Sequence, residues 1–478
     1  MNALLMVPSF CGHRFGKQWK KNPTVTPPLG VLYVGGALER AGFQVRLLDM
    51  NVERTEREEF CALVRSADLA AISVMSANRR GAQELVDDVR AIKPAIKIIC
   101  GGPHINCTMQ PFPGADATFM GEGESTAGEI CRHLVRGSLT SLRAFAGLYY
   151  RDGNEMVKTG PPVVIHDLNR SPGPARHLID PARYGELFGL RVSRRIAAID
   201  TSRGCPYKCN FCVRRGVFRY RHRDPAEVVD EIEQIVAAGH DLLIFNEDNF
   251  TVLPQRAIAI LRDIKRRGLK IRIMMQVRVD SATQEFMAAC KEAGVWVLIL
   301  GIESGSQSVL DYYDKGTTVQ QGRDAIQSAE RLGIFTYGFF ILGAPPERDR
   351  HFRENIRFFT SVPLDFVGFN ILDYQAGSRM WAKQVREGRI HPEEVVVPTG
   401  PRFGALPYSE IEHCLRRSYR AFYLRPGLYW RLLKKCWRSR DFTLLVFLMR
   451  FSLKLLSRFR PFALAEELPD RVLAEVQP

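Results

Sequence analysis

Two kinds of hydrophobic pattern alternate along the first 140 residues. Short continuous apolar runs at Ala3–Pro8, Gln44–Leu48, Leu69–Val74 and Ile96–Cys100 predict buried parallel strands. Between them, Leu29–Ala41, Arg57–Arg65 and Ala82–Ile92 carry apolar residues at helical spacing. This alternation predicts an open, doubly wound α/β domain over 1–140. Residues 141–190 are rich in Pro, Gly and turn formers and predict a hairpin followed by a linker. A second series then starts. Candidate strands are Ile196–Asp200, Leu242–Asn246, Ile271–Gln276, Trp296–Gly301, Thr336–Leu342 and Phe366–Leu372, separated by helices such as Ala226–Ala238, Pro254–Arg267, Ser281–Ala293 and Val319–Leu332. Six strands with crossover helices predict a partial, TIM-like (β/α)6 barrel over 191–385, with its chemistry at the strand C-termini. From 386 to 478 the pattern is helical and basic.

With 478 residues, 46% hydrophobic and 25% charged, the chain has the make-up of an ordinary folded protein with room for several cores. No run of eighteen apolar residues and no early basic–apolar–small-residue leader occurs, which argues against a membrane span and a secretory signal. Eleven cysteines, mostly solitary, suit a reducing cytoplasm. The net charge of +15 is uneven: between Arg416 and Arg460 stand thirteen Lys/Arg and one acid, Asp441. A nearly neutral body with a basic tail does not predict nucleic-acid binding. Within the tail, DFTLLVFLMRFSLKLLSRF (Asp441 to Phe459) places Arg450, Lys454 and Arg458 on one helical face and Leu444, Leu445, Leu448, Phe451, Leu455 and Leu456 on the remainder. Such a helix suits either peripheral contact with an anionic membrane or docking on the body.

The sharpest chemical signal is RGCPYKCNFC, which spaces Cys205, Cys209 and Cys212 as C-x3-C-x2-C just after the first predicted barrel strand. Three thiolates can hold three irons of a cubane cluster and leave the fourth open. A zinc knuckle would need a fourth ligand, and the nearest histidine, His222, is ten residues on. The arrangement resembles the radical S-adenosylmethionine (SAM) superfamily. The resemblance implies a [4Fe-4S] cluster on these cysteines and SAM on the open iron, cleaved to an adenosyl radical by one electron from a low-potential, flavodoxin- or ferredoxin-like donor. It also implies SAM-contacting roles for Phe211, for Glu247 and Asp248 in NEDNF, for Glu303 and Ser304 in GIESG, and for Gly338 in GFFILGAPPE. Arg278, at a strand end, either faces SAM or pairs with Asp280.

In the first domain, small-residue loops stand where doubly wound sheets take ligands. These are Pro28-Leu29-Gly30, Ser73 and Ser76, Gly101-Gly102-Pro103-His104 and Gly121-Glu122-Gly123-Glu124. They resemble the cobalamin-binding domain found ahead of many radical SAM barrels. No D-x-H-x-x-G motif supplies a lower cobalt ligand; His104 is a candidate ligand or a hydrogen-bonding residue. A Rossmann-like module without its ligand is the other reading. Together the resemblances imply a cobalamin-dependent radical SAM C-methyltransferase. Its small hydrophobic substrate would be a lipid, isoprenoid, tetrapyrrole or natural product, with Tyr374 lining the substrate or packing at the barrel end. A cyclase or rearrangement enzyme on the same scaffold, or a non-catalytic iron–sulfur protein, are the alternatives.

Overall fold

The computed structural model describes residues 1–10, 15, 26–187, 190–213, 219–404 and 406–458. Phe459, the last residue of the predicted tail helix, and the side-chain positions from Lys454 onward lie outside the described set. The chain forms two compact units, one of residues 1–198 with 215–222, the other of 199–214 with 223–478.

The first unit is built on a seven-stranded sheet. Strand Asn2–Val7 pairs in parallel with Gln44–Asp49 on one side and Leu69–Ser73 on the other. Lys97–Gly101 and Ala117–Phe119 continue the parallel set. Side-chain alternation along the first strand explains why the sheet is covered twice. Leu4 and Met6 enter a core with Phe60, Val64, Leu85 and Val89, from helices Arg57–Ser66 and Arg79–Ile92. Ala3 and Leu5 enter a second core with Val31, Leu38, Ile130 and Leu134, from helices Leu29–Arg40 and Ala127–Val135. The hairpin expected within 141–190 is no separate element. Its strands, Leu148–Asp152 and Glu155–Thr159, extend the same sheet antiparallel, with Leu148 and Tyr150 fully buried. The hairpin covers the otherwise open edge of Ala117–Phe119, and the first unit continues past it to residue 198.

The second sheet has six strands in chain order: Ile196–Ile199, Leu242–Phe245, Arg272–Arg278, Val295–Glu303, Phe335–Leu342 and Phe366–Ile371. The pairings from Leu242 to Ile371 are parallel throughout, joined by helices such as Pro225–Ala237, Pro254–Arg266, Gln284–Glu292 and Val319–Leu332. The order is that of a partial parallel barrel. The tail is part of this second unit. Helices Tyr408–Tyr423, Pro426–Ser439 and Thr443–Arg458 lie against it. The Tyr423 hydroxyl donates to the Val367 carbonyl (2.7 Å) and accepts from its N–H (3.0 Å). Lys435 reaches buried Asp365 at 2.7 Å.

Candidate cluster and cofactor sites

The cysteine loop leaves the first barrel strand and is held from below by acids of the second. The buried Glu247 carboxylate accepts from the Thr201 hydroxyl (2.7 Å) and from the Ser202 hydroxyl. Burial pushes its carboxyl up to about 7, against the lowering effect of those hydroxyls. Asp248 accepts from the Gly204 N–H at 3.2 Å. Both acids of the NEDNF stretch therefore turn toward the loop's own start. Arg256 completes the support, donating to the Thr201 carbonyl at 2.7 Å and to the Arg223 carbonyl at 2.9 Å.

The three thiols are close enough to act on one another. Burial raises Cys205, with Asp248 and Cys209 adding to the shift. Burial pushes Cys212 up to about 12, with Cys209, Asp248 and Cys205 adding. Cys212 is nevertheless solvent-accessible. Among the described residues no three His, Cys, Asp or Glu side chains gather around one point as a single ion requires. A cubane cluster asks for less convergence, since each cysteine meets a different iron. The donor set fits that cluster.

Two cations back the loop. The Arg278 guanidinium donates to Asp280 (3.1 and 2.9 Å) and to the Lys315 carbonyl (2.8 Å), and lies 3.8 Å from the Cys209 sulfur. It also stacks 3.7 Å over the Tyr207 ring. Of the two sequence alternatives for Arg278, the Asp280 pair is present, and the same guanidinium grips the cysteine loop. Lys315, which sequence reasoning missed, meets Glu303 at 2.7 Å in a buried ion pair. Glu303 adopts φ +64°, a left-handed conformation costly for a residue with a side chain.

The remaining motif residues divide. Phe211 packs edge-on against Tyr313, with ring centroids 5.1 Å apart. Ser304 is fully buried, its hydroxyl donating to Asn355 at 3.0 Å. Gly338 lies mid-strand, where a Cβ would meet Ile302 at 2.7 Å and Leu364 at 2.9 Å, so its smallness serves packing. The strand-end turn belongs to Gly343, at φ +96°, whose N–H and that of Ala344 donate to buried Glu347. Tyr374 is 1% exposed and packs on Phe403 with centroids 4.1 Å apart. It borders a concavity of about 340 Å³ with Asn210 and Tyr312.

In the first unit, the small-residue loops meet at the strand C-termini. The Val74 carbonyl accepts from the His104 N–H (3.0 Å), and the Val74 N–H donates to Gly101 (2.7 Å). The Ser76 hydroxyl is 3.1 Å from His104 Nδ1, and burial lowers this imidazole to about 4, so it is neutral at physiological pH. Gly102, at φ +113°, brings its Cα so close that a Cβ would stand 2.9 Å from the Val74 carbonyl. Asn106 bonds the Gly121 N–H at 2.7 Å, tying in the next loop. Pro28-Leu29-Gly30 opens the helix after the first strand, and space around Gly30 is open. Ser73 ends the strand beside it. A ligand at this switch point would lie on backbone and hydroxyls, and the small residues leave room for a large one such as a corrinoid. The acids of the last loop are already engaged. Glu122 forms a buried double contact with Arg221 (2.7 and 2.9 Å) and accepts from the Ile165 N–H. Glu124, also buried, accepts from Ser171 at 3.4 Å. Gly123 between them packs against Ala127 and Val34.

A doubly wound sheet with small-residue strand ends, followed by a barrel with a three-cysteine first loop, defines a two-cofactor radical enzyme. Comparison with known proteins agrees. Residues 21–131 match the B12 binding domain and residues 199–359 the Radical SAM superfamily. An uncharacterised methyltransferase of Pyrococcus horikoshii is 28% identical over 84% of this chain and 89% of its own. The anaerobic magnesium-protoporphyrin IX monomethyl ester cyclase of Cereibacter sphaeroides is 27% identical over 85% and 69%. The hopanoid C-3 methylase of Methylococcus capsulatus is 24% identical over 79% and 72%. Among solved structures, the radical SAM methyltransferase TsrM of Kitasatospora setae, with cobalamin and a [4Fe-4S] cluster bound, shares the fold at TM-score 0.64, 19% identity, over 81% of this chain and 78% of its own. The cobalamin-dependent radical enzyme OxsB, with aqua-cobalamin and SAM bound, does so at TM-score 0.68, 18% identity, over 96% and 73%. The chain thus joins a B12 binding domain to a radical SAM domain, the make-up of cobalamin-dependent radical SAM enzymes, and methyltransferases are among the proteins it is similar to.

Proposed function

We propose that this enzyme is a C-methyltransferase acting on an unactivated carbon of a hydrophobic substrate drawn from a membrane surface. In this reading Cys205, Cys209 and Cys212 hold the [4Fe-4S] cluster, and the loops from Pro28 to Glu124 cradle cobalamin. The bound cofactors supply reductive SAM cleavage and methyl carriage. The chain's own share is positioning. Glu247, Asp248 and Arg256 fix the start of the cysteine loop, and Arg278 fixes its middle. The Glu303–Lys315 pair keeps a carboxylate oriented at the fourth strand's end, where the second oxygen is available to a sugar hydroxyl.

The observation that carries the substrate class lies in the tail. Helix Thr443–Arg458 docks through Leu444, Phe447 and Leu448, so the docking reading holds for one face. Its other face is not covered. Val446, Met449 and Leu453 are exposed at helical spacing, Leu453 at 65%. Trp430 (61%), Leu433 and Trp437 (74%) do the same on helix Pro426–Ser439, and the Trp437 ring meets exposed Phe442 edge-on. Of the exposed large hydrophobics of the described residues, more than half fall between 430 and 453, amid Lys434, Arg438, Arg440 and Arg450. Indole rings amid cations suit an anionic lipid interface. Among the described residues no helix is long and apolar enough to cross a membrane, so the contact in this reading is peripheral.

The test is turnover of the anaerobically reconstituted enzyme with reductant, methyl-labelled SAM and an isoprenoid or tetrapyrrole extract. Label in a lipid-extractable product, with S-adenosylhomocysteine and 5′-deoxyadenosine both formed, supports methylation. Deoxyadenosine with no label transfer supports the cyclase reading, which the similarity to the cyclases keeps second.

A further inference from the structure

The family's chemistry consumes one electron delivered from outside to the cluster, and the structure offers a place of entry. The segment after the last barrel strand folds back onto the cysteine loop. The Met380 N–H donates to the Asn210 carbonyl (3.0 Å), and the Asn210 N–H to the Tyr313 carbonyl (2.9 Å). Val213 bridges Ser378, and Arg379 donates to the Lys208 carbonyl at 2.9 Å. Helix Arg379–Arg386 is thereby laced to the backbone of the residues flanking Cys209. It turns Arg379, Lys383 and Arg386 to solvent at positions i, i+4 and i+7, one face of the helix. Lys208 of the cysteine loop, whose carbonyl Arg379 bonds, and Arg389, three residues beyond the helix, are also exposed. Two acids touch these cations. Asp314 pairs with Arg379 at 2.7 Å, and Glu387 stands 3.8 Å from Lys383 and 3.7 Å from Arg389. Arg379, Lys383 and Arg386 line the 340 Å³ concavity at Asn210 and Tyr312, and with Lys208 and Arg389 the surface carries five cations against these two acids.

We propose that this face is the docking surface of an acidic, low-potential one-electron carrier protein. The inference rests on the reading of Cys205, Cys209 and Cys212 as cluster ligands. The transfer moves one electron from the carrier's reduced cofactor to the cluster, oxidising the first and reducing the second, with no bond made or broken. Charge complementarity sets the encounter, and the backbone lacing gives the electron a short route from this face through Asn210 to Cys209. Among the described residues, the ion pair of Lys383 is with Glu387, and neither Lys383 nor Arg386 bonds the cysteines or the SAM-motif residues.

The experiment follows cluster reduction by absorbance under anaerobic conditions in the reconstituted full chain, with reduced flavodoxin as the probe. K383E/R386E is expected to slow reduction by flavodoxin about tenfold or more at low ionic strength, with the gap closing at high salt. Reduction by photoreduced deazaflavin, a small donor needing no docking surface, is expected to stay within about twofold of wild type. K383Q/R386Q is expected to give a smaller loss, about threefold, and decides the matter if charge reversal prevents folding. Unchanged flavodoxin rates in the glutamine pair, or equal slowing with both reductants, would overturn the docking surface while leaving the cluster reading intact. A wild-type chain that assembles no cluster would overturn the cysteine reading itself.

Discussion

Arg278 touches Asp280, the Lys315 carbonyl, the Tyr207 ring and the Cys209 sulfur at once, while itself nearly buried. Arg278→Met leaves Asp280 without its cation and frees the cysteine loop, an expected loss of about 2–4 kcal/mol. Arg278→Lys keeps the charge but not the fork, and recovers only part. Iron per chain after reconstitution separates the two roles: a loop-positioning residue lowers iron retention, a merely structural one lowers the melting temperature alone. Glu347 gives a pH signature. Its carboxyl is pushed from 4.5 to about 7 by burial, so its contribution to stability is complete below about pH 4.5 and is lost as pH rises through 7. Glu347→Gln should flatten part of that fall, gaining about 1–2 kcal/mol over wild type between pH 4.5 and 8 in denaturant titrations. At this scale the three cysteines were legible because their chemistry depends on local spacing. Lys315 and Asn355 were not, because each acts on a motif 12 or 51 residues away and only the folded barrel brings them there. Glu247 was found but given another partner. The Thr201 and Ser202 hydroxyls that capture it look in sequence like ordinary strand-end residues.

Helix Ala127–Val135 crosses helix Leu29–Arg40 at a point where only glycine fits. A Cβ on Gly128 would lie 2.2 Å from the Ala37 carbonyl oxygen and 2.9 Å from the Ala41 Cβ. Alanine improves helix propensity by about 1 kcal/mol, but the forced separation of two packed helices costs about 1–3 kcal/mol. The clash is with backbone, which cannot rotate away, so Gly128→Ala should destabilise. Urea unfolding of the first unit, followed by far-UV circular dichroism, checks the sign. Most elements were legible to within a few residues because their apolar period is strong. Strand Ala117–Phe119 was missed because three residues carry no period. The hairpin after it was seen but not its place, since antiparallel addition to a parallel sheet is decided by which edge lies open.

For the whole molecule, the tail divides its apolar residues between a docked face and an exposed one. The sequence showed an amphipathic basic helix, but the outward strip takes Trp430 and Trp437 from the preceding helix, which only packing reveals. Flotation with vesicles containing anionic lipid is expected to recover the wild-type chain, with binding weakened by salt. Trp430→Ala/Trp437→Ala should weaken binding about tenfold or more without changing the melting temperature, since neither indole is buried. Equal recovery of both proteins would assign the strip another role.

The central claim is that Cys205, Cys209 and Cys212 leave one iron of a cluster open to SAM. Electron–nuclear double resonance on the reduced, reconstituted enzyme, with SAM carrying 15N in its amino group, reads this directly. The expected result is a hyperfine coupling from the label to the cluster, present in wild type and lost with the cluster in a Cys209→Ala variant. A cluster whose spectrum ignores SAM, or a protein that takes up zinc and no iron, would contradict it.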